Sequence, residues 1–449
     1  MRRIAWLLTL LALSRTGLHP AQAQPTSPVF PYPIKTTTLE NGLAIISVPF
    51  DSPGIIAYYT VVRAGSRNEV EPGLSGFAHF FEHMMFRGTT RYPQEAYNNV
   101  LKSLGADSNA FTTDDWTCYH MTIPSSALAK AVEIEADRFR NLKYDEPEFQ
   151  KEARAVLGEY NKSASSPFLL LNETMQDKAY SKHTYKHTTI GFLADVKNMP
   201  SQFKYSKTFF NRWYRPENCT IVVAGEVDHD KLVSLVRAQY GTWEPGKSSI
   251  VIPAEPPQNA PRSAPLTWPL PTLPILYLGY HIPAADPNDP DTAPLSALAQ
   301  AVFGETSPLY KALVLDEQKV VALMADAEAK RDPGLFTILL RLRDPKDLPA
   351  IRKRVESALV GAAKEPISDR RLASIKSHLR YAFAGSLDTA DAVAHAVCES
   401  VAATGRPDAM KKRDDALHQL IAADLQRVAE RYFSPSNQTA VILQSETTQ

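Results

Sequence analysis

His79 and His83 stand four residues apart in Gly76-Phe77-Ala78-His79-Phe80-Phe81-Glu82-His83-Met84. If this apolar run is helical, the two imidazoles lie one turn apart on one face, with Glu82 beside them. Neutral imidazole nitrogens in that relation can take two corners of a tetrahedral divalent-metal site and leave room for water. Glu82 is then placed to take the proton of that water. The order H-x-x-E-H is the inverzincin signature. Spacing alone leaves a second reading open, an apolar helix whose histidines are ordinary hydrogen-bonded core groups.

A metal site with an open position needs a third protein ligand, commonly another His or a carboxylate. Glu159 is the candidate. It lies in Phe149-Gln150-Lys151-Glu152-Ala153-Arg154-Ala155-Val156-Leu157-Gly158-Glu159-Tyr160, which has helical period. Glu152, seven residues earlier, shares its face. One of the two could bind metal while the other orients a histidine through its second nitrogen. Without the histidine pair upstream, both would read as solvated helix charges.

With these residues the chain resembles the pitrilysin and insulinase family of zinc peptidases, in particular the half-length members such as mitochondrial processing peptidase and the bacterial two-subunit peptidases. In that family a Glu about 76 positions after the second His completes the site, and Glu159 stands 76 after His83. An acidic residue seven before that ligand is matched by Glu152. The family's substrate-binding strand is matched by Asn109, Ala110, Phe111 and Thr112. The resemblance runs from about Lys35 to the end. It implies one Zn2+ per chain on His79, His83 and Glu159, with Glu82 as the catalytic base and Glu152 as an outer partner. It also implies a peptide substrate paired as an added strand with Asn109 to Thr112, Phe111 lining a side-chain pocket.

One feature departs from the family. Active members bring an Arg and a Tyr, seven apart, from a second-half domain to the substrate carbonyl; without gaps those positions are Val314 and Val321 here. Neither can donate a hydrogen bond. The expected arrangement is therefore a heterodimer in which a homologous subunit without the zinc motif supplies both donors; a homodimer is the alternative. Two other readings remain: a catalytically weak peptide-binding or structural subunit of the same family, and a metal-dependent hydrolase of a non-peptide substrate.

The elements that must position these residues are legible in outline. Thr36 to Phe50, turning at Asn41-Gly42, and Ile55 to Arg63 read as strands, as do Asp107 to Phe111 and Trp116 to Ile123. Helices are expected over Ser125 to Leu142, Glu146 to Lys162, Phe168 to Tyr180 and Lys204 to Trp213. Further on, Leu276 to Ile282, Val320 to Ala329 and Leu335 to Leu342 read as strands, with helices from Leu295, Leu348, Ser368, Thr389 and Ala423 onward. Prolines crowd 244–274, and an extended linker fits them. Tyr214-Arg215-Pro216-Glu217-Asn218-Cys219-Thr220-Ile221 is echoed by Phe433-Ser434-Pro435-Ser436-Asn437-Gln438-Thr439-Ala440. The repeat says that the two halves share one fold. The fold class is α+β: two homologous α/β-roll domains, each a mostly antiparallel sheet with helices on one side. They span 35–243, catalytic, and 275–446, where Ala297 to Val302 replaces the histidine pair. His183 and His187 are also four apart, but in a turn-like stretch with no Glu in helical register.

Equal numbers of basic and acidic residues, 49 each, give no overall field to attract nucleic acid or an anionic membrane. Cys118, Cys219 and Cys398 lie far apart in apolar segments, which argues against a disulfide framework and for buried thiols. Residues 1–23 read as a signal peptide: Met1-Arg2-Arg3, the apolar run Ile4 to Leu13, and the cleavage site Ala21-Gln22-Ala23. No later run approaches 18 apolar residues, so no membrane span is expected in the mature chain, and the periplasm is the expected compartment. N-terminal sequencing of the native protein should find a start near Gln24. A start at Met1 would remove the secretory expectation.

Overall fold

The computed structural model describes residues 28–246 and 250–446. The expected signal peptide lies outside them. The first half contains strands β1 (Lys35–Thr38), β2 (Ala44–Pro49), β3 (Ile55–Val62), β4 (Asp107–Thr112), β5 (Thr117–Pro124) and β6 (Cys219–Gly225). Its helices are α1 (Phe77–Met84), α2 (Gln94–Leu104), α3 (Leu128–Asn141), α4 (Glu146–Ser163), α5 (Pro167–Ala179), α6 (Leu193–Asn198), α7 (Phe203–Trp213) and α8 (His229–Tyr240). The second half has β7 (Arg262–Trp268), β8 (Ile275–His281), β9 (Val320–Ala327), β10 (Leu335–Leu342) and β11 (Gln438–Ser445). Its helices are α9 (Thr292–Phe303), α10 (Pro308–Tyr310, running on as a π-helix over Lys311–Asp316), α11 (Leu348–Lys364), α12 (Asp369–Ser386), α13 (Ala390–Thr404), α14 (Ala409–Gln419) and α15 (Ala422–Tyr432).

The strand order is β1-β2-β6-β3-β5-β4 in the first sheet and β7-β11-β8-β10-β9 in the second. Apart from β1 the two orders correspond strand for strand. In each, one strand, β2 or its counterpart β7, runs parallel to the half's last strand and every other pairing is antiparallel. The sequence repeat marks the same corner twice. Pro216–Asn218 and Pro435–Asn437 form 3-10 turns, and Asn218 and Asn437 donate to the C-terminal carbonyls of Trp213 and Tyr432, at 2.9 and 2.8 Å. By this correspondence α9 is the counterpart of α1, and Ala297 to Val302 stands where the histidine pair would be.

The stretch expected as a linker differs in part. Arg262–Trp268 is a strand, paired in parallel with β11. Pro265 is tolerated because β7 is an outer strand, where a missing N–H breaks no ladder. Sequence periodicity also passed over α2, α8 and α14. In α2, Gln-Glu-Ala-Tyr-Asn-Asn-Val-Leu-Lys-Ser-Leu buries only Tyr97 and Leu101, too sparse an apolar stripe to stand out.

Each half's own helices cover one face of its sheet, and the other face is covered by a helix from the opposite half. Strands β3 and β6 are buried almost throughout, without alternation, because both faces are packed. Val393, Val397 and Val401 of α13 lie against Ala57, Tyr59 and Val222 of the first sheet. In return, Leu171 and Met175 of α5 pack on Ile275, Val441 and Leu443 of the second. The corresponding hairpins β4–β5 and β9–β10 also meet: Lys330 pairs with Asp114, while Asp115 accepts from the Arg331 N–H (2.9 Å) and the Tyr185 hydroxyl (2.5 Å). The halves are thus interlocked twice.

The exchange of helices predicts shared stability. Leu171→Ala, a truncation in the first half, should cost about 2–5 kcal/mol and shift one common unfolding transition in urea. Unfolding of the second half at its wild-type midpoint would contradict the interlock.

Candidate metal centre

Helix α1 is only eight residues long, too short to persist alone in water, so packing must hold it. Phe77, Phe80, Phe81 and Met84 form its buried face. The Phe81 ring stacks on Phe209 of α7 (5.6 Å, 6°), and Phe80 meets Phe149 of α4 edge to face (4.9 Å). His79, Glu82 and His83 occupy the remaining face. The Phe80–Phe149 contact sets α4 alongside α1. The start of α4 is fixed by a capping box, the Asp145 carboxylate accepting the Glu148 N–H while Glu148 accepts that of Asp145. Glu152 and Glu159 then lie about two and four turns from its N-cap, facing the histidines.

Nε2 of His79 and Nε2 of His83 are 3.3 Å apart, and Glu159 Oε2 is 3.6 Å from the first and 3.4 Å from the second. A tetrahedron with arms of about 2.0–2.1 Å has edges of about 3.3–3.4 Å, so the triangle has the size of a zinc-type site. The donor chemistry agrees. In the neutral tautomer that donates Nδ1–H to Glu152 Oε1 (2.9 Å), His83 presents its Nε2 lone pair to the other two groups. Among the described residues this is the one group of three or more His, Cys, Asp or Glu side chains arranged to hold a metal. All three cysteines are buried free thiols.

Charge states follow from the surroundings. Burial, reinforced by neighbouring His83, pushes the His79 pKa down to about 4, favouring the neutral form that binds metal. For His83, burial acts downward but the carboxylate of Glu152, with Glu159 and Glu82 behind it, raises the pKa overall. Glu152 is itself buried, yet the His83 hydrogen bond and the Arg87 guanidinium hold it below the usual carboxylate range. Arg87 lies one turn beyond His83 and forms an ion pair with Glu152 Oε2. Sequence reasoning did not single it out; the four-residue step from His83 was the available signal.

Strand β4 is the outer strand of the first sheet, with one edge free of a neighbouring strand, and on it the Ala110 N–H donates to the Asn109 side-chain oxygen at 2.9 Å. Its register with β5 fixes which side chains turn toward α1. Ala110 packs in the core beneath α1, and the Thr112 hydroxyl donates to Glu82 Oε2 at 2.6 Å. Asn109 and Phe111 point the other way. Phe111 contacts Trp116 and His395 and lines a cavity of about 430 Å³ at the seam between the halves. The four expected substrate residues thus divide by face, and Thr112 meets the expected base. Burial raises the pKa of Glu82, against the opposing pull of that hydroxyl.

His183 and His187 have separate partners. His183 Nε2 bonds Asp332 (2.8 Å), and His187 Nδ1–H donates to the Thr188 carbonyl (3.0 Å). Val314 lies in the π-helical turn after α10, and Val321 is the second residue of β9, the outer strand of the second sheet.

The family description "Insulinase (Peptidase family M16)" matches residues 56–191, and "Peptidase M16 inactive domain" matches 204–379. This chain belongs to peptidase family M16. Within that family it is 28% identical over 418 residues to the zinc protease PqqE of Helicobacter pylori, a match covering 91% of this chain and 92% of the relative. It is 24% identical over 424 residues to the probable mitochondrial-processing peptidase subunit beta of Schizosaccharomyces pombe, covering 88% of each. The crystal structure of a protease from Helicobacter pylori superposes with a TM-score of 0.85 at 27% identity, over 92% of this chain and all of that one. The periplasmic protease PqqL of Escherichia coli shares the fold, with a TM-score of 0.75 at 19% identity over 47% of its length. The M16 fold of two antiparallel-rich α+β domains is the one observed here. The inactive-domain match includes α9, where the histidines are missing.

Glu152 orients His83 without touching the metal position. Glu152→Ala should therefore weaken divalent-metal affinity by about 10–100-fold, measured by competition with a chromogenic chelator. Unchanged affinity would show that His83 needs no orienting partner.

Proposed function

We propose that the chain is a zinc metalloendopeptidase, acting on extended peptides as the catalytic subunit of a heterodimer. The observation that carries this reading is the convergence of His79 Nε2, His83 Nε2 and Glu159 Oε2 at separations that fit three corners of a tetrahedron, with Glu82 on the same helix face. Zinc bound there supplies Lewis-acid chemistry, lowering the pKa of water to about 7 and polarising a carbonyl.

The chain's own groups do the rest. Glu82 accepts the proton of the attacking water at its carboxylate and passes it to the leaving amine. Thr112 occupies one carboxylate oxygen and leaves the other for that exchange. The unpaired edge of β4 aligns an extended peptide through main-chain hydrogen bonds, which accept many sequences. Substrate side chains then alternate between the α1 side and the cavity lined by Phe111. Glu152 and Arg87 keep His83 in its binding tautomer and orientation.

The partner is inferred from two features. Val314 and Val321 provide no donor for a developing oxyanion, and loss of one such donor can cost about 10²–10³ in turnover. The packing of α13 and α5 across the opposite sheets also ties the two halves of one chain together, which leaves closure around a peptide to a second chain. A homologous chain facing the β4 edge supplies both the enclosure and the missing Arg and Tyr. The leader-like residues 1–23, and a described structure in which no helix is long and apolar enough to cross a membrane, support a periplasmic location.

Glu82→Gln should keep the metal and lose peptidase activity, because the amide fills the same space but takes no proton. Metal analysis beside a peptide-cleavage assay decides, and full activity in this variant would remove Glu82 as the base. The chain purified alone should be a weak peptidase that a homologous subunit lacking the zinc motif activates. Strong activity alone, unchanged by such a subunit, would favour the homodimer.

A further inference from the structure

The carboxylate of Glu69 is buried beneath the N-terminus of α1, ten residues before His79 in sequence and outside the metal-binding set. Its Oε2 accepts the Gly76 N–H and its Oε1 the Ala78 N–H, both at 2.7 Å. The first N–H groups of a helix have no intrahelical partner. Glu69 thus satisfies two of them at once and fixes the Phe77–Ala78 peptide unit, one residue before His79.

The loop containing His187 completes the seat. Gly76 has φ +94°, and a Cβ there would stand 2.7 Å from the Ile190 carbonyl oxygen. Gly191 has φ +89°, and a Cβ there would stand 2.8 Å from the Gly76 nitrogen. Both glycines are required by this close approach of backbone to backbone. His187 lies behind Glu69, its unpartnered Nε2 3.8 Å from Glu69 Oε2. On the neighbouring residue, Asp195 Oδ2 accepts the Ser75 hydroxyl (2.6 Å) and N–H (3.2 Å).

We propose that Glu69 is a positioning residue for the metal centre, setting metal affinity by fixing the first turn of α1. The helix is two turns long and carries both histidines, so a tilt or slide at its N-terminus moves His79 and His83 together relative to Glu159 on α4. Packing of Phe77, Phe80 and Phe81 fixes the depth of α1 in the core. Glu69 fixes its position along the axis, on which the distances from the imidazoles to Glu159 depend.

This inference rests on the reading that the site binds zinc, and the test separates the two. Zinc affinity is measured by chelator competition for the wild type, Glu69→Gln and Glu69→Ala, with the melting temperature of each metal-free protein recorded beside it. Glu69→Ala should bind zinc about 10–100-fold more weakly, as expected when a partner supporting a ligand is lost. Glu69→Gln should fall between, because its amide oxygen accepts one N–H while its NH2 group faces the other. If the wild type binds no zinc, the metal reading fails. If the wild type binds zinc and a folded Glu69→Gln variant binds it equally well, the positioning role is overturned, even if the metal-free melting temperature drops. Should Glu69→Ala not fold, Glu69→Gln decides alone.

Discussion

Two imidazole nitrogens and a carboxylate oxygen held within 3.6 Å of one another gain little from each other and much from a cation between them. With His83 Nδ1–H committed to Glu152, its Nε2 lone pair faces the other acceptors, and the arrangement must be enforced from outside. Much of the first half can be understood as that enforcement. A short helix supplies two donors, a long capped helix supplies the third and an outer partner, and aromatic contacts between Phe80, Phe81, Phe149 and Phe209 set the two helices side by side.

The second half shares the fold but not the centre, and its contribution is mechanical. Helix α13 covers the otherwise open face of the first sheet, so that its central strands β3 and β6 are buried on both sides. Helix α5 does the same for the second sheet. Hairpin contacts through Lys330, Asp114 and Asp115 hold the two units in register. This exchange packs the faces of the sheets and leaves β4 at the outer edge of the first.

The grouping of His79, His83 and Glu159 was more legible in the sequence than the contacts that hold it. His79, Glu82 and His83 could be read because helical spacing translates directly into shared faces, and Glu159 because of a family spacing that no local rule would supply. The chain corner at Asn218 and Asn437 was visible as a repeat. Glu69 was not, since nothing in Asn68-Glu69-Val70 shows that its carboxylate turns back onto a helix that has not yet begun. Arg87 and the Thr112 to Glu82 bond depend on tertiary register in the same way. The strand at Arg262–Trp268 was hidden by its proline, which marks an outer strand as readily as a linker. The exchange of α5 and α13 left only an indirect trace, the unbroken apolar runs of β3 and β6, which show two buried faces without saying what buries them.

The central claim is that one zinc ion is held by two imidazoles and one carboxylate. X-ray absorption at the zinc edge of the purified protein tests it most directly. The account predicts near-stoichiometric zinc with a first shell of nitrogen and oxygen only, at about 2.0–2.2 Å, and outer-shell scattering from two imidazoles. A sulfur shell at about 2.3 Å, or a properly folded chain that retains no zinc, would contradict it.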